Sequence, residues 1–190
     1  MSNITLDKLK AVFKSPIYLA GLSLFIAAII AISIYPKKQL EKFSWNGLTP
    51  GVSTIDDVNR QLGNPTETIV DGDNTLLKYK SKNNEFRKDT AVINNNNLVV
   101  VKEEVIGKEK GNLKDYTKRY GQANFSGYGD YYEAGFTTYV FSNVGLAVIA
   151  SPVDGTILQL WHFKPMMIEE FKSTIGKNIK DTPESTPESF

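Results

Sequence analysis

From Ile17 to Tyr35 the chain reads IYLAGLSLFIAAIIAISIY, apolar on every helical face and free of ionised side chains. At 1.5 Å rise per residue the stretch reaches roughly 28 Å, close to the ~30 Å hydrocarbon layer of a bilayer. Pro16 and Pro36 bracket it, and Tyr18 and Tyr35 sit where interfacial aromatics belong. The pattern predicts a transmembrane helix over 17–35 behind a short cytoplasmic tail, 1–16. The small-residue run Ala31-Ile32-Ser33 leaves cleavage as a signal peptide as the alternative. Lys8, Lys10 and Lys14 before the stretch balance Lys37, Lys38 and Lys42 after it, so flanking charge does not choose an orientation. A short leading tail and a long following part are the layout of a signal anchor. The expected placement is a single-pass membrane protein of the cell envelope, N-terminus cytoplasmic and domain extracytoplasmic.

After a charged stalk, 36–46, the period of the pattern changes twice. Ile55, Val58 and Leu62 form an i, i+3, i+7 stripe, with Ser53 or Thr54 as cap and Asp56 and Asp57 in the first turn. Gly63 ends this helix and Pro65 forbids its continuation. Strand-like runs follow at Thr75–Tyr79, Thr90–Ile93 and Leu98–Val105, the last two joined by Asn94-Asn95-Asn96-Asn97, a sequence suited to a hairpin. A second helix is predicted over Asn112–Tyr120, closed by Gly121. Strands are predicted at Tyr131–Glu133, Thr137–Ser142, Leu146–Ala150 and Thr156–Phe163. Setting VNRQLGNP (58–65) over YTKRYGQA (116–123) aligns Gly63 with Gly121 and suggests a weak internal repeat. The expected fold class is α+β: an N-terminal transmembrane helix, then two helix-plus-antiparallel-sheet repeats, 47–107 and 108–164, packed as one domain. Met167, Ile168, Phe171 and Ile175 predict an amphipathic helix over 165–177, and the tandem TPES of 178–190 predicts a disordered tail.

The run Leu48-Thr49-Pro50-Gly51-Val52-Ser53, continued by Val58, Leu62-Gly63 and Pro65, resembles the helix signature of the BamE/SmpA-type outer-membrane assembly lipoproteins, and is similar to the repeats of the β-lactamase-inhibitor-protein fold. The resemblance covers residues 47–66 and thins over the second repeat, which ends Gly121-Gln122-Ala123 without the proline. It implies a non-enzymatic binding or scaffolding domain that uses a sheet face. In it Gly51 lets the chain turn into the helix, Val58 and Leu62 pack that helix on the sheet, and Gly63 with Pro65 redirects the chain into a strand. A role in outer-membrane barrel assembly does not carry over, because this chain has an apolar stretch where those proteins have a lipid anchor.

The 190 residues carry a net charge of +1 and no cysteine, which removes thiolate chemistry and disulfides and gives no basic excess for a nucleic acid. One histidine, His162, leaves no pair for a zinc site and is read as locally satisfied. Asp71-Gly72-Asp73-Asn74 has the start of a calcium loop, but Leu76 stands where that loop needs glycine. Glu103 and Glu104 alternate along a strand and so point to opposite faces. No cofactor, metal or small-molecule substrate is expected. The candidate contact surface is the aromatic run of Phe125, Tyr128, Tyr131 and Tyr132, since tyrosines dominate interface hot spots. Packing into the core is the alternative for the same rings. The expected function is therefore a membrane-anchored, extracytoplasmic protein-binding or scaffolding module without catalysis. The alternatives are an envelope hydrolase or glycan-processing enzyme, and a purely structural subunit of an envelope complex.

Overall fold

The structure is a computed structural model and describes residues 43–82, 86–105 and 109–182, all within one compact unit that runs Glu41–Phe190. Its two longer helices are built by local signals. Thr54 caps α1 (Ile55–Leu62): its hydroxyl accepts from the Asp57 N–H, and the Asp57 carboxylate accepts from the Thr54 N–H at 2.8 Å. Asn112 and Asp115 repeat this reciprocal cap on α2 (Leu113–Tyr120). Each cap satisfies N–H groups that the first helical turn leaves unbonded. Gly63 and Gly121 end the two helices at φ 77° and 86°, a backbone region that favours glycine.

Eight strands form one sheet: β1 (Glu67–Asp71), β2 (Asn74–Lys80), β3 (Lys88–Asn94), β4 (Asn97–Glu104), β5 (Phe125–Gly127), β6 (Thr137–Phe141), β7 (Leu146–Ala150) and β8 (Ile157–Phe163). Their order is β1-β2-β3-β4-β8-β7-β6-β5, with every neighbouring pair antiparallel. The order reads the same from both edges, so β4 and β8, the last strand of each set of four, meet at the centre. The correspondence extends to single residues. Val99 is skipped in the β3–β4 register and Leu158 in the β7–β8 register, so both hairpins carry a bulge at the matching place. The helix caps bridge to the matching strand starts, Thr54 to Asn97 and Asn112 to Thr156. Lys102 and Trp161 correspond under this pattern, and they face each other across the central pair.

α1 and α2 lie on one side of the sheet, here called the helix face. Val58 of α1 is fully buried against Leu77, Ala91, Leu98 and Val101, while α2 lays Leu113, Tyr116 and Tyr120 on Val148, Ile157 and Leu160. The opposite, tail face is covered over its second half by the chain after Lys164. There α3 (Ile168–Ser173) seats Phe171, followed by Ile175 and Ile179, against Val140, Ala147, Ile149 and Phe163.

Several expectations are corrected by this architecture. Among the described residues the fold is an eight-stranded antiparallel sheet with few, short helices, which corrects the expected α+β class. No helix among the described residues is long and apolar enough to cross a membrane, so the predicted transmembrane helix and the single-pass, signal-anchor placement gain no support. The stretch 17–35 itself lies outside the described residues, as does the tail 1–16. Within the expected stalk, Phe43 and Trp45 are buried, Trp45 in the helix-face core with Leu48 and Val58. Tyr131–Glu133 is no strand. The Tyr132 N–H donates to the Gly129 carbonyl and the Gly135 N–H to the Tyr132 carbonyl, which curls the segment into turns. β1 and β5 are strands that the alternation of the sequence does not mark. The final helix spans six residues instead of thirteen. The start of the supposedly disordered tail is ordered: Tyr128 and Lys180 exchange both backbone hydrogen bonds at 2.9 Å, and Ile179 is buried. Residues 183–190 lie outside the described residues.

Candidate functional site at the centre of the sheet

β4 runs NLVVVKEE, and its three charged residues sit where the two halves of the sheet join. The pleat sends Lys102 and Glu104 to the tail face and Glu103 to the helix face. Both glutamates are almost fully buried, at 3% and 4% exposure, so each must be matched by donors.

On the tail face the matching partners come from β8 and from two loops. Glu104 accepts from the Gln159 amide, whose own carbonyl oxygen accepts from the Trp161 indole N–H. Arg87 reaches the second Glu104 oxygen at 3.4 Å and lies over the Tyr131 ring at 5.2 Å. The Lys102 ammonium sits 4.1 Å from the centre of the Trp161 ring. Burial pulls the Lys102 pKa down, and Asp130 and Glu104 oppose that shift. Burial likewise raises Tyr131 above the usual phenol value, with Glu104 adding to it. Towards β1 this network opens into a cleft of about 620 Å³. Its lining includes Leu76, Lys78 and Thr90, on the half of the tail face that the described residues leave uncovered, with Tyr131 and Phe86, the latter 88% exposed. Glu67 holds two lysines of that lining, Lys78 at 3.3 Å and Lys88 at 2.8 Å, and those bonds lower its pKa.

On the helix face Glu103 bonds His162 Nε2 at 3.1 Å and Lys110 Nζ at 2.8 Å. Burial would raise its pKa, but these two partners outweigh it and hold the carboxyl at about 2. Asp89 receives the Glu104 N–H at 2.8 Å, yet burial leaves its pKa raised. A pocket of about 400 Å³ opens beside this group, under the C-terminal end of α1.

The aromatic run is divided by the structure. Phe125 and Tyr131 are half-buried against the tail-face core, and the Lys172 ammonium caps the Phe125 ring at 4.0 Å. Tyr128 packs edge-to-face on Tyr132 at 4.7 Å, leaving Tyr132 37% exposed. Of the four, Tyr131 alone lines the large cleft. The residues of the helix signature take up structural positions. Gly51 donates its N–H to Leu98 at 2.7 Å with φ 78°, Val58 and Leu62 pack on the sheet, and Gly63 and half-buried Pro65 lead into β1. Asp71-Gly72-Asp73-Asn74 is the β1–β2 hairpin turn. Lys102, Gln159, Tyr79 and Asp89 escaped sequence reasoning, and Glu104 was read only as pointing to the face opposite Glu103. For Lys102 and Gln159 the signal was present in β4 and β8, where charged and amide residues interrupt two otherwise apolar strands.

This is a tandem helix–sheet domain with buried polar networks on both sides of its central strand pair. Neither a protein-family model nor a curated protein matches the sequence. In structure the chain is similar to a DUF4309 family protein (YjgB) from Bacillus subtilis, at 20% identity over 62% of this chain and 83% of that one, with a TM-score of 0.42. It is also similar to a cysteine-rich secretory protein from Staphylococcus aureus, at 11% identity over 72% and 50% with a TM-score of 0.43. A third similarity is to an extracellular protein containing a SCP domain from Bacillus anthracis, at 7% identity over 59% and 43% with a TM-score of 0.40.

Proposed function

We propose that the protein is a non-catalytic binding module that holds a segment of a partner protein on the uncovered half of the tail face. One observation carries this reading. The chain covers the second half of that face with its own Phe171, Ile175 and Ile179, and the described residues leave the first half as an open cleft of about 620 Å³. The covering segment shows what chemistry suits such a surface, namely apolar side chains laid across strands. The cleft adds charge: Lys78 and Lys88 share the single carboxylate of Glu67. The fitting occupant is therefore a polypeptide segment with apolar residues for Leu76 and Phe86 and a carboxylate for the lysine pair. Tyr131 and Arg87 supply the residue types that dominate interface energetics. The carboxylate at the back of the cleft, Glu104, is engaged by Gln159 and Arg87, which favours recognition over acid–base work. The resemblance of residues 47–66 to a family of binding and scaffolding domains supports the same reading.

The test is a photo-crosslinking amino acid placed at Thr90 in cells that make the protein. An adduct that disappears when Lys78 and Lys88 are both changed to glutamate is the expected result, with no adduct from the same probe at Thr117 on α2. No adduct at Thr90, or one indifferent to charge reversal, contradicts the proposal.

A further inference from the structure

The helix-face pocket lies on the other side of the sheet from the proposed protein contact. We propose that it binds a small uncharged polyhydroxylated ligand, a free sugar or the terminal unit of a glycan. Tyr79 supplies the first reason. It lines the pocket at 6% exposure, and its hydroxyl is buried without a hydrogen-bond partner among the described residues. A buried hydroxyl left unpaired is unfavourable, and a ligand oxygen in the pocket supplies the missing bond. Burial raises the Tyr79 pKa, so the group stays a neutral donor and acceptor at physiological pH.

The remaining lining supplies the second reason. Asp89 and Glu103 offer acceptors, Lys82 and Lys110 offer donors, and the Asn46 and Gln61 amides offer both. A lone anion entering here meets two carboxylates, and a lone cation meets the ammonium groups of Lys82 and Lys110. Hydroxyls donate and accept, so a polyol satisfies both sets without leaving a charge unpaired. Trp45 and Leu62 give an apolar wall for the C–H face of a ring. About 400 Å³ lies within the range of small-ligand sites and exceeds what a single ion fills.

Isothermal titration of the full chain tests this with methyl glycosides of glucose, galactose and N-acetylglucosamine, the corresponding β-linked disaccharides, and phosphate and spermidine as charged controls. At least one sugar is expected to bind, at least tenfold more weakly to Tyr79→Phe and unchanged to Val153→Ala in the exposed β7–β8 turn. Tighter binding of a disaccharide than of its monomer assigns a glycan end; equal binding assigns a free sugar. Tyr79→Phe should melt no lower than the parent, since it removes only an unpaired hydroxyl. If that variant fails to fold, Gln61→Ala on the exposed rim carries the same expected loss. The proposal is overturned if no sugar binds at millimolar concentration, if binding ignores both pocket variants, or if only phosphate or spermidine binds.

Discussion

Glu103 keeps its charge at 3% exposure because His162 and Lys110 supply the bonds that water would have made. Its folded pKa, about 2, lies below the ordinary 4.5. Its stabilisation is therefore complete above pH 4.5 and is lost as pH falls towards 2. Glu103→Gln is expected to cost about 3 kcal/mol at pH 7, the scale of breaking a buried pair, with the gap from the parent narrowing below pH 4.5. Urea denaturation at stepped pH measures this; a gap independent of pH contradicts the assignment. Asp89 works in the opposite sense. Its pKa is raised by burial, so its contribution is fullest below the unfolded pKa and declines as pH rises through the folded one. Asp89→Asn, which keeps an acceptor for the Glu104 N–H, should be neutral or stabilising at pH 7 in the same titration. Glycines separate just as clearly. A Cβ at Gly145 would sit 2.0 Å from the Phe163 carbonyl oxygen, whereas one at Gly63 meets nothing within 4 Å. Gly63→Ala should cost about 1 kcal/mol for its positive φ, and Gly145→Ala substantially more, by thermal melting.

At the scale of elements, the helices were legible because their signals are local. Thr54 with Asp57, and Gly63 after Leu62, mark both ends of α1 within eleven consecutive residues of sequence, numbers 54–64. Asn95 and Asn96 mark the β3–β4 hairpin just as locally, since both adopt positive φ, at 46° and 69°. β1 and β5 escaped because Glu67–Asp71 mixes exposed and half-buried positions without alternation to a buried face, and Phe125–Gly127 is three residues long. Tyr131–Glu133 has strand-forming residues but lies between Gly129 and Gly135, whose turns decide its path. If the reciprocal caps set the helix starts, Thr54→Ala and Asn112→Ala should each cost about 1 kcal/mol. Asn112→Ala should cost the more of the two, because its side chain also donates to the Asp154 carbonyl at 2.8 Å. Equal, negligible losses in chemical denaturation would show that tertiary packing alone places the helices.

For the whole molecule, the central pairing was out of reach of sequence reasoning. Glu103 and His162 are 59 residues apart, and no local period encodes that β4 pairs with β8. The aromatic run was recognised as a candidate surface, but only the assembled fold separates Tyr131, which lines the cleft, from Phe125, which packs under Lys172. The same assembly turns the chain after Lys164 into the cover of one half of the tail face. Phe171 is fully buried there, and Phe171→Ala should cost about 3–5 kcal/mol. Truncation after Lys177 removes Ile179 and the Lys180 bridge to Tyr128, and should raise amide exchange at Tyr128 while leaving α1 protected. Protection unchanged at Tyr128 would show that this bridge does not hold the loop.

Among the described residues one half of the tail face is covered by the chain, and the proposed partner would occupy the other half. Lysine acetylation footprinting, read by mass spectrometry on the protein in its native assembly and again after purification, reports on that occupancy most directly. Lys78 and Lys88 should be protected in the assembly and labelled once the chain is isolated, while Lys114 and Lys118 on α2 label equally in both. Equal labelling of Lys78 and Lys88 in the two states, with protection appearing on α2 instead, would contradict it.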